Sequence, residues 1–182
     1  MENAYKRKKE PKQNRQIILD AAWEIGATTD WSQVTFQAIS DRTGLSKGGI
    51  IHHFKNKEEL LDVLIKQNLS NLTAFLQEYK KKEGATDNAR AYLEFVLKNG
   101  SNQAYQKTMR LIVQAILVKE EYRLWWEDWL KTHILGDMTV APDMQRMFFF
   151  LVAEGIWYTD SVGFSYLDEN IRKGMLNYLH QL

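Results

Sequence analysis

Thr35 to Leu61, TFQAISDRTGLSKGGIIHHFKNKEELL, reads as two short helices joined by a tight turn and followed by the start of a third. Thr35 can cap the first helix, since its hydroxyl oxygen can accept from the unpaired N–H groups of an opening turn. Ala38 and Ile39 fall on the face to be buried. Thr43-Gly44 closes that helix, because glycine adopts the left-handed conformation that ends helices at little cost. Ser46 can cap the next, which runs to Phe54. Two helices meeting steeply across a short turn that contains glycine form the helix-turn-helix, whose second helix lies in the major groove of DNA. Sequence-specific binding of double-stranded DNA is the leading expectation.

Upstream of this stretch, Ile17, Ile18, Ala21, Ala22 and Ile25 recur at helical spacing, with Trp23 at the edge, and predict an amphipathic helix over 12–27. Trp31 and Val34 staple the link that follows. Residues 1–11 are polar and basic (Lys6, Arg7, Lys8, Lys9) and read as a solvated arm that can also touch DNA. Downstream, Leu60, Leu61, Leu64, Ile65, Leu69, Leu72, Phe75, Leu76 and Tyr79 hold one apolar stripe over 57–82. At 1.5 Å per residue that helix is roughly 35 Å long. Further helices are expected at about 87–98, 103–117, 120–134, 142–162 and 169–181, with Thr86 or Asp87, Pro142-Asp143 and Asp168 as start signals. The 142–162 segment is apolar almost all round and should be buried on most sides. Ile171, Met175, Leu176 and Leu179 should point inward from the last helix. Strand alternation and internal repeats are not found. The expected fold is all-α with about nine helices: a basic arm and helix-turn-helix domain over 1–57, and a helical body over 58–182.

The composition agrees with a globular chain: of 182 residues, 45% are hydrophobic and 26% charged. Residues 1–57 carry ten Lys/Arg against six Asp/Glu, whereas 58–182 carry fourteen against seventeen. A basic module on a mildly acidic body suits a DNA-binding head on a regulatory part. Cysteine is absent, which excludes disulfides and thiolate chemistry and fits a reducing cytoplasm. The opening MENAYKRKKEPK has no apolar signal core, and no run of 18 apolar residues occurs, so no membrane association is expected.

The chain resembles the TetR-type (tetracycline-repressor-type) transcriptional regulators. The resemblance rests on Ile18-Leu19-Asp20-Ala21-Ala22, Thr35, Gly44-Leu45-Ser46-Lys47-Gly48 and His52-His53-Phe54-Lys55-Asn56-Lys57-Glu58-Glu59-Leu60-Leu61. It covers residues 12–64 by motif and the remainder by helix order. It implies a homodimer paired through residues 142–163 and 169–181, and repression of a palindromic operator that ends when a small molecule binds the body. Ala153-Glu154-Gly155-Ile156-Trp157 is similar to the acid-Gly-apolar-Trp stretch of several multidrug-sensing members. One departure stands out: many members have Tyr at the position of Ile51, and the phosphate contact of that hydroxyl is lost here.

For the DNA site, Thr35, Ser46, Lys47, Gly48, Gly49, His53 and Lys57 are the candidates. Lys47 can donate to guanine O6 and N7 in the major groove. Gly48 and Gly49 leave the backbone free to approach. Thr35 and Ser46 sit at helix starts, where N–H groups attract phosphate, although capping alone explains them equally well. His53 and Lys57 are expected on phosphates; His52 can face either way.

For the effector site, Tyr92, Phe95, Met109, Trp125, Trp126, Trp129, Met147, Phe150, Glu154 and Trp157 are the candidates. Aromatic walls with adaptable methionine suit a flat, apolar small molecule. Glu154 or Glu94 facing such a wall would favour a cation. Many of these side chains, and the other body aromatics with Met138 and Met144, can equally be core or dimer interface. Gly155 suits a close helix crossing. Ligand binding would shift the population of two body states, with the 57–82 helix moving the heads out of register.

No nucleophile elbow, P-loop, zinc signature or GxGxxG occurs, so an enzyme is not expected, nor a cofactor. The pairs Glu120-Glu121 and Glu127-Asp128 read as solvated surface. His52 and His53 point about 100° apart on a helix with no cysteine nearby, so no metal is expected. Two alternatives keep the fold: control by a partner protein without a small-molecule effector, and action as an activator.

Overall fold

The computed structural model describes residues 11–84, 87–136, 143–164 and 166–182. The basic arm up to residue 10, Thr86, Met138 and Pro142 lie outside the described residues. Among the described residues there are nine α-helices and no strand: α1 Pro11–Thr28, α2 Phe36–Thr43, α3 Lys47–His53, α4 Lys57–Glu83, α5 Asn88–Asn99, α6 Gln103–Val118, α7 Glu120–Leu130, α8 Met144–Ser161 and α9 Glu169–Leu179. A 3-10 turn, Trp31–Gln33, precedes α2, and α7 ends in a π-helical segment, Lys131–Leu135. None of these helices is long and apolar enough to cross a membrane.

Two compact units divide between Leu64 and Ile65, inside α4. The first unit packs α1 on α2 and α3. Its core is Ile18, Leu19, Ala22, Trp31, Val34, Ile39, Ile50, Phe54 and Leu60, all buried. The alternation of these positions with Arg, Lys, Asp and Glu drives them together: each fully buried Ile, Leu or Phe contributes about 1.5–3 kcal/mol of transfer free energy. Ala38 is half-buried rather than buried.

The second unit is organised on α5, which packs chiefly against α8, with α6 against α7 and α8 and with α9 also on α5. Nearly all of α5 from Ala89 to Leu97 is buried, including Tyr92, Glu94 and Phe95. Its core gathers Met109 and Ile112 of α6, Trp126 and Trp129 of α7, and Phe149, Ala153, Ile156 and Trp157 of α8.

Three expectations need correction. α8 is not enclosed: Phe149, Ala153, Ile156 and Trp157 face the core, but Phe148 is 58% and Leu151 61% exposed, and Met144 and Tyr158 are exposed with them. Residues 144, 148, 151, 155 and 158 recur every three or four positions and so form one stripe, which a single layer of helices cannot cover. Ile171 of α9 and Phe75 of α4 also face outward, each at the margin of its helix's buried face: Phe75 is i+3 from buried Leu72, and Ile171 is next to buried Arg172. Gly155 is exposed, and a Cβ there would meet nothing within 4 Å, so it serves no close crossing within the chain.

Candidate nucleic-acid interface and effector site

The turn between α2 and α3 is fixed by its own side chains. Thr35 Oγ1 accepts from Ala38 N at 3.1 Å, and Ser46 Oγ accepts from Gly49 N at 3.1 Å. Gly44 sits at φ 70°, its N–H donating to Ser40 O at 2.9 Å. Ser40 Oγ donates to Leu45 O at 2.7 Å, while Thr43 Oγ1 donates to Ile39 O at 2.7 Å and accepts from Leu45 N at 3.2 Å. These local hydrogen bonds from Thr35, Ser40, Thr43 and Ser46 fasten the turn to the ends of α2 and α3.

α3 turns Ile50 inward, wholly buried, and leaves Lys47, Gly48, Gly49, Ile51 and His52 exposed. His53 is half-buried and meets His52 edge-on, ring centroids 5.6 Å apart. The start of α4 is built by Asn56 Oδ1 accepting from Glu59 N at 2.8 Å and Glu59 Oε2 accepting from Lys55 N at 2.9 Å. The Asn-x-x-Glu spacing of Asn56 and Glu59 is a capping signature carried by the sequence itself. Lys57 Nζ donates to Ser32 O at 3.0 Å. One of its three donors is thus spent on the head itself, and the other two are available to a phosphate. Arg15, from α1, lies 4.8 Å from the ring of Phe54.

In the second unit the structure draws most of the candidate effector residues together. Trp126 stacks on Trp129 (centroids 5.2 Å, planes 10° apart) and on Trp157 (5.1 Å, 17°). The outer rings are tied down: Trp129 Nε1 donates to Thr73 Oγ1 at 2.7 Å, and Trp157 Nε1 donates to Met109 Sδ. Tyr92 meets Trp129 edge-on at 6.2 Å and donates its hydroxyl to Glu154 Oε1 at 2.9 Å. Burial raises the Tyr92 phenol well above its ordinary value, so it keeps its proton and remains a donor. Burial also pushes the Glu154 carboxyl up to about 7, against the pull of hydrogen bonds from Tyr92 and Trp126. A buried carboxyl with a raised pKa thus stands beside the stacked indoles, held by the Tyr92 hydroxyl.

The remaining candidates stand apart from it. Trp125 is half-buried beneath Lys66 Nζ, 4.4 Å from its ring, and tilts against Tyr122. Phe95 meets Tyr79 and Tyr105 edge-on at 6.1 and 5.6 Å. Met147 and Phe150 are half-buried on α8. Glu94 does not face the indoles: it accepts from Tyr79 Oη at 2.7 Å and pairs with Arg90 Nε at 3.4 Å, lining a polar cavity of about 600 Å³ with Arg146 and His180. Glu94 is i+4 to Arg90 and i+2 to Tyr92, which places it on the flank of α5 opposite the indoles.

Sequence reasoning missed a buried ion pair. Arg172 of α9 donates from Nη2 to Asp160 of α8 and from Nε to Leu167 O at 2.9 Å, and both side chains are buried. Among the described residues no group of three or more His, Cys, Asp and Glu is gathered as a metal site would require.

Comparison with known proteins bears on both units. Residues 18–64 match the family model described as bacterial regulatory proteins, tetR family, and residues 87–182 match that of the tetracyclin repressor-like C-terminal domain. The chain is 26% identical over 143 residues to the HTH-type transcriptional regulator AcrR of Shigella flexneri, covering 79% of this chain and 60% of the relative. It is 28% identical over 109 residues to the transposon Tn10 TetC protein of Escherichia coli, covering 56% and 54%. It thus spans less than two thirds of the length of these curated relatives. A crystal structure of a transcriptional regulator from Rhodococcus sp. Rha1 superposes with a TM-score of 0.68 at 14% identity, covering 91% of this chain and 92% of that one, which speaks for the fold alone.

Proposed function

The chain belongs to the tetR family of bacterial regulatory proteins, and from that premise we propose that it is a ligand-responsive, DNA-binding transcriptional regulator, a repressor released from a palindromic operator by a small aromatic or apolar molecule. Residues 1–57 hold the DNA, and residues 58–182 pair two chains and take the effector. The observation that carries this reading is the self-capped turn that leaves α3 projecting Lys47, Gly48 and Gly49 outward. In that arrangement Lys47 reaches guanine edges, while Lys57 and His53 take phosphates and set the register.

The exposed stripe of α8, with Ile171 and Tyr178 of α9, supports pairing with a second copy. Phe148 of that stripe, Ile171 and Tyr178 border an apolar groove of about 470 Å³ that also takes in Leu93 and Leu97 of α5. The Trp126–Trp129–Trp157 stack beside Glu154 supports an effector that replaces ring-on-ring contacts with its own, and an ionised Glu154 favours a cationic one. Such a ligand acts only by its preference for the body state in which the stack has opened.

The test is fluorescence anisotropy of the purified protein against duplex DNA from upstream of its own gene, with salt titrated and a scrambled duplex as control. Tight binding that survives scrambled competitor, as one dimer per palindrome, is expected, followed by release on adding cationic aromatic compounds. Equal, weak and salt-abolished binding to both duplexes would reduce the basic head to an electrostatic patch.

A further inference from the structure

Among the described residues of the first unit, one large apolar side chain is exposed: Ile51, at 51%. The other large aliphatic and aromatic residues of that unit are buried or half-buried. Exposing a β-branched aliphatic beside a wholly buried isoleucine, Ile50, is not a packing requirement of α3. Helical spacing places Ile51 at i+4 from Lys47 and i+3 from Gly48, so the three share one face. Gly48 has no atom within 4 Å of where a Cβ would stand, which leaves bare backbone between the two longer side chains. A helix face with backbone at its middle can settle closer to a groove floor than one carrying side chains throughout. The aliphatic at its flank then reaches the base edges.

Lys47 lies on this face, and His52, Lys55 and Lys57 follow within six residues of Ile51, which matches a polyanion rather than an apolar protein partner. Within the major groove the one apolar feature of a base edge is the C5-methyl group of thymine. The geometry points to Ile51 as a specificity-determining residue that reads a thymine methyl, one per half-site, beside the base read by Lys47. The inference rests on the DNA-binding reading above and adds to it a readout that a phosphate-contacting hydroxyl at this position would not supply.

The experiment selects duplexes from a randomised pool with the full-length protein, then replaces each thymine of the enriched half-site by deoxyuridine, one position at a time. Anisotropy is read for the wild-type protein, Ile51→Ala and Ile51→Val. At one thymine per half-site, loss of the methyl should weaken the wild-type protein about fourfold, the factor expected for one buried methyl group. Ile51→Val should keep that sensitivity, and Ile51→Ala should lose it while binding the uracil duplex as the wild-type protein does. Because the side chain is exposed, far-ultraviolet circular dichroism should be the same for all three. Identical uracil profiles for wild type and Ile51→Ala, or an enriched half-site with no uracil-sensitive thymine, overturn this inference alone. Failure of the pool to enrich any duplex overturns the DNA-binding reading with it.

Discussion

The guanidinium of Arg172 occupies the space in which a side chain on Gly100 would have to stand. Gly100 follows α5 with φ −55° and ψ −27°, a conformation open to any residue. It is therefore glycine for room and not for backbone freedom. Gly100→Ala should force Arg172 out of its seat and lower stability by about 1–3 kcal/mol, the range for overpacking. Arg172→Met strands Asp160 and is itself destabilising, but in that background the further change Gly100→Ala should cost less than it does in the wild type. Denaturant melts of the three variants check this.

The Arg172–Asp160 pair is buried on both sides, and its local partners are few: among the described residues, Asp160 Oδ2 and Arg172 Nη1 have no hydrogen bond. Removing one charge strands the other. Asp160→Asn is expected to cost about 3–5 kcal/mol, whereas Asp160→Leu with Arg172→Met should cost far less. Equal losses for the single and double variants in urea titrations would contradict this.

Glu154 gives the body a pH dependence with a defined sign. Its folded value of about 7 lies above the ordinary 4.5 of a glutamate, so the folded state binds the proton more tightly than the unfolded one. The favourable contribution is complete below the unfolded value and is lost as pH rises through about 7, an amount on the order of 3 kcal/mol. Glu154→Gln should therefore be more stable than wild type at pH 8 and nearly equal to it at pH 4.5. Thermal melts of both proteins at the two pH values give the difference directly.

The head should answer differently to its three local devices. Ser46→Ala removes the acceptor of Gly49 N–H and should cost about 1 kcal/mol. Gly44→Ala, at φ 70° with nothing within 4 Å, should cost about 1–2 kcal/mol through backbone strain alone. Lys47→Ala should leave stability unchanged and weaken DNA binding. Denaturation and anisotropy on the same preparations separate these outcomes.

Leu151→Glu places a charge in the middle of the exposed α8 stripe. It should convert a dimer to a monomer in size-exclusion chromatography with light scattering and leave helix content unchanged.

The helix-turn-helix was legible because its determinants are local. Thr35, Gly44 and Ser46 act on residues three or four positions away, so their spacing carries the structure. The i, i+3 spacing of Trp126 and Trp129 likewise put both on one face. What joins them to Trp157, and Tyr92 to Glu154, is contact between distant helices, which no spacing encodes. Arg172 carried no signal in the sequence for the same reason: its partner Asp160 is on α8, and the Gly100 that makes room for it follows α5. The two-sidedness of α8 was hidden by composition, since a helix apolar on every face gives no period from which to choose the buried one.

If a second copy completes the α8 face, pairing also sets a floor on abundance. At concentrations below the pairing constant, the bare α8 stripe would leave most chains as lone copies. Such chains are more easily opened and cleared by cellular proteases. Newly made protein would then accumulate more than in proportion to its message until most chains are paired.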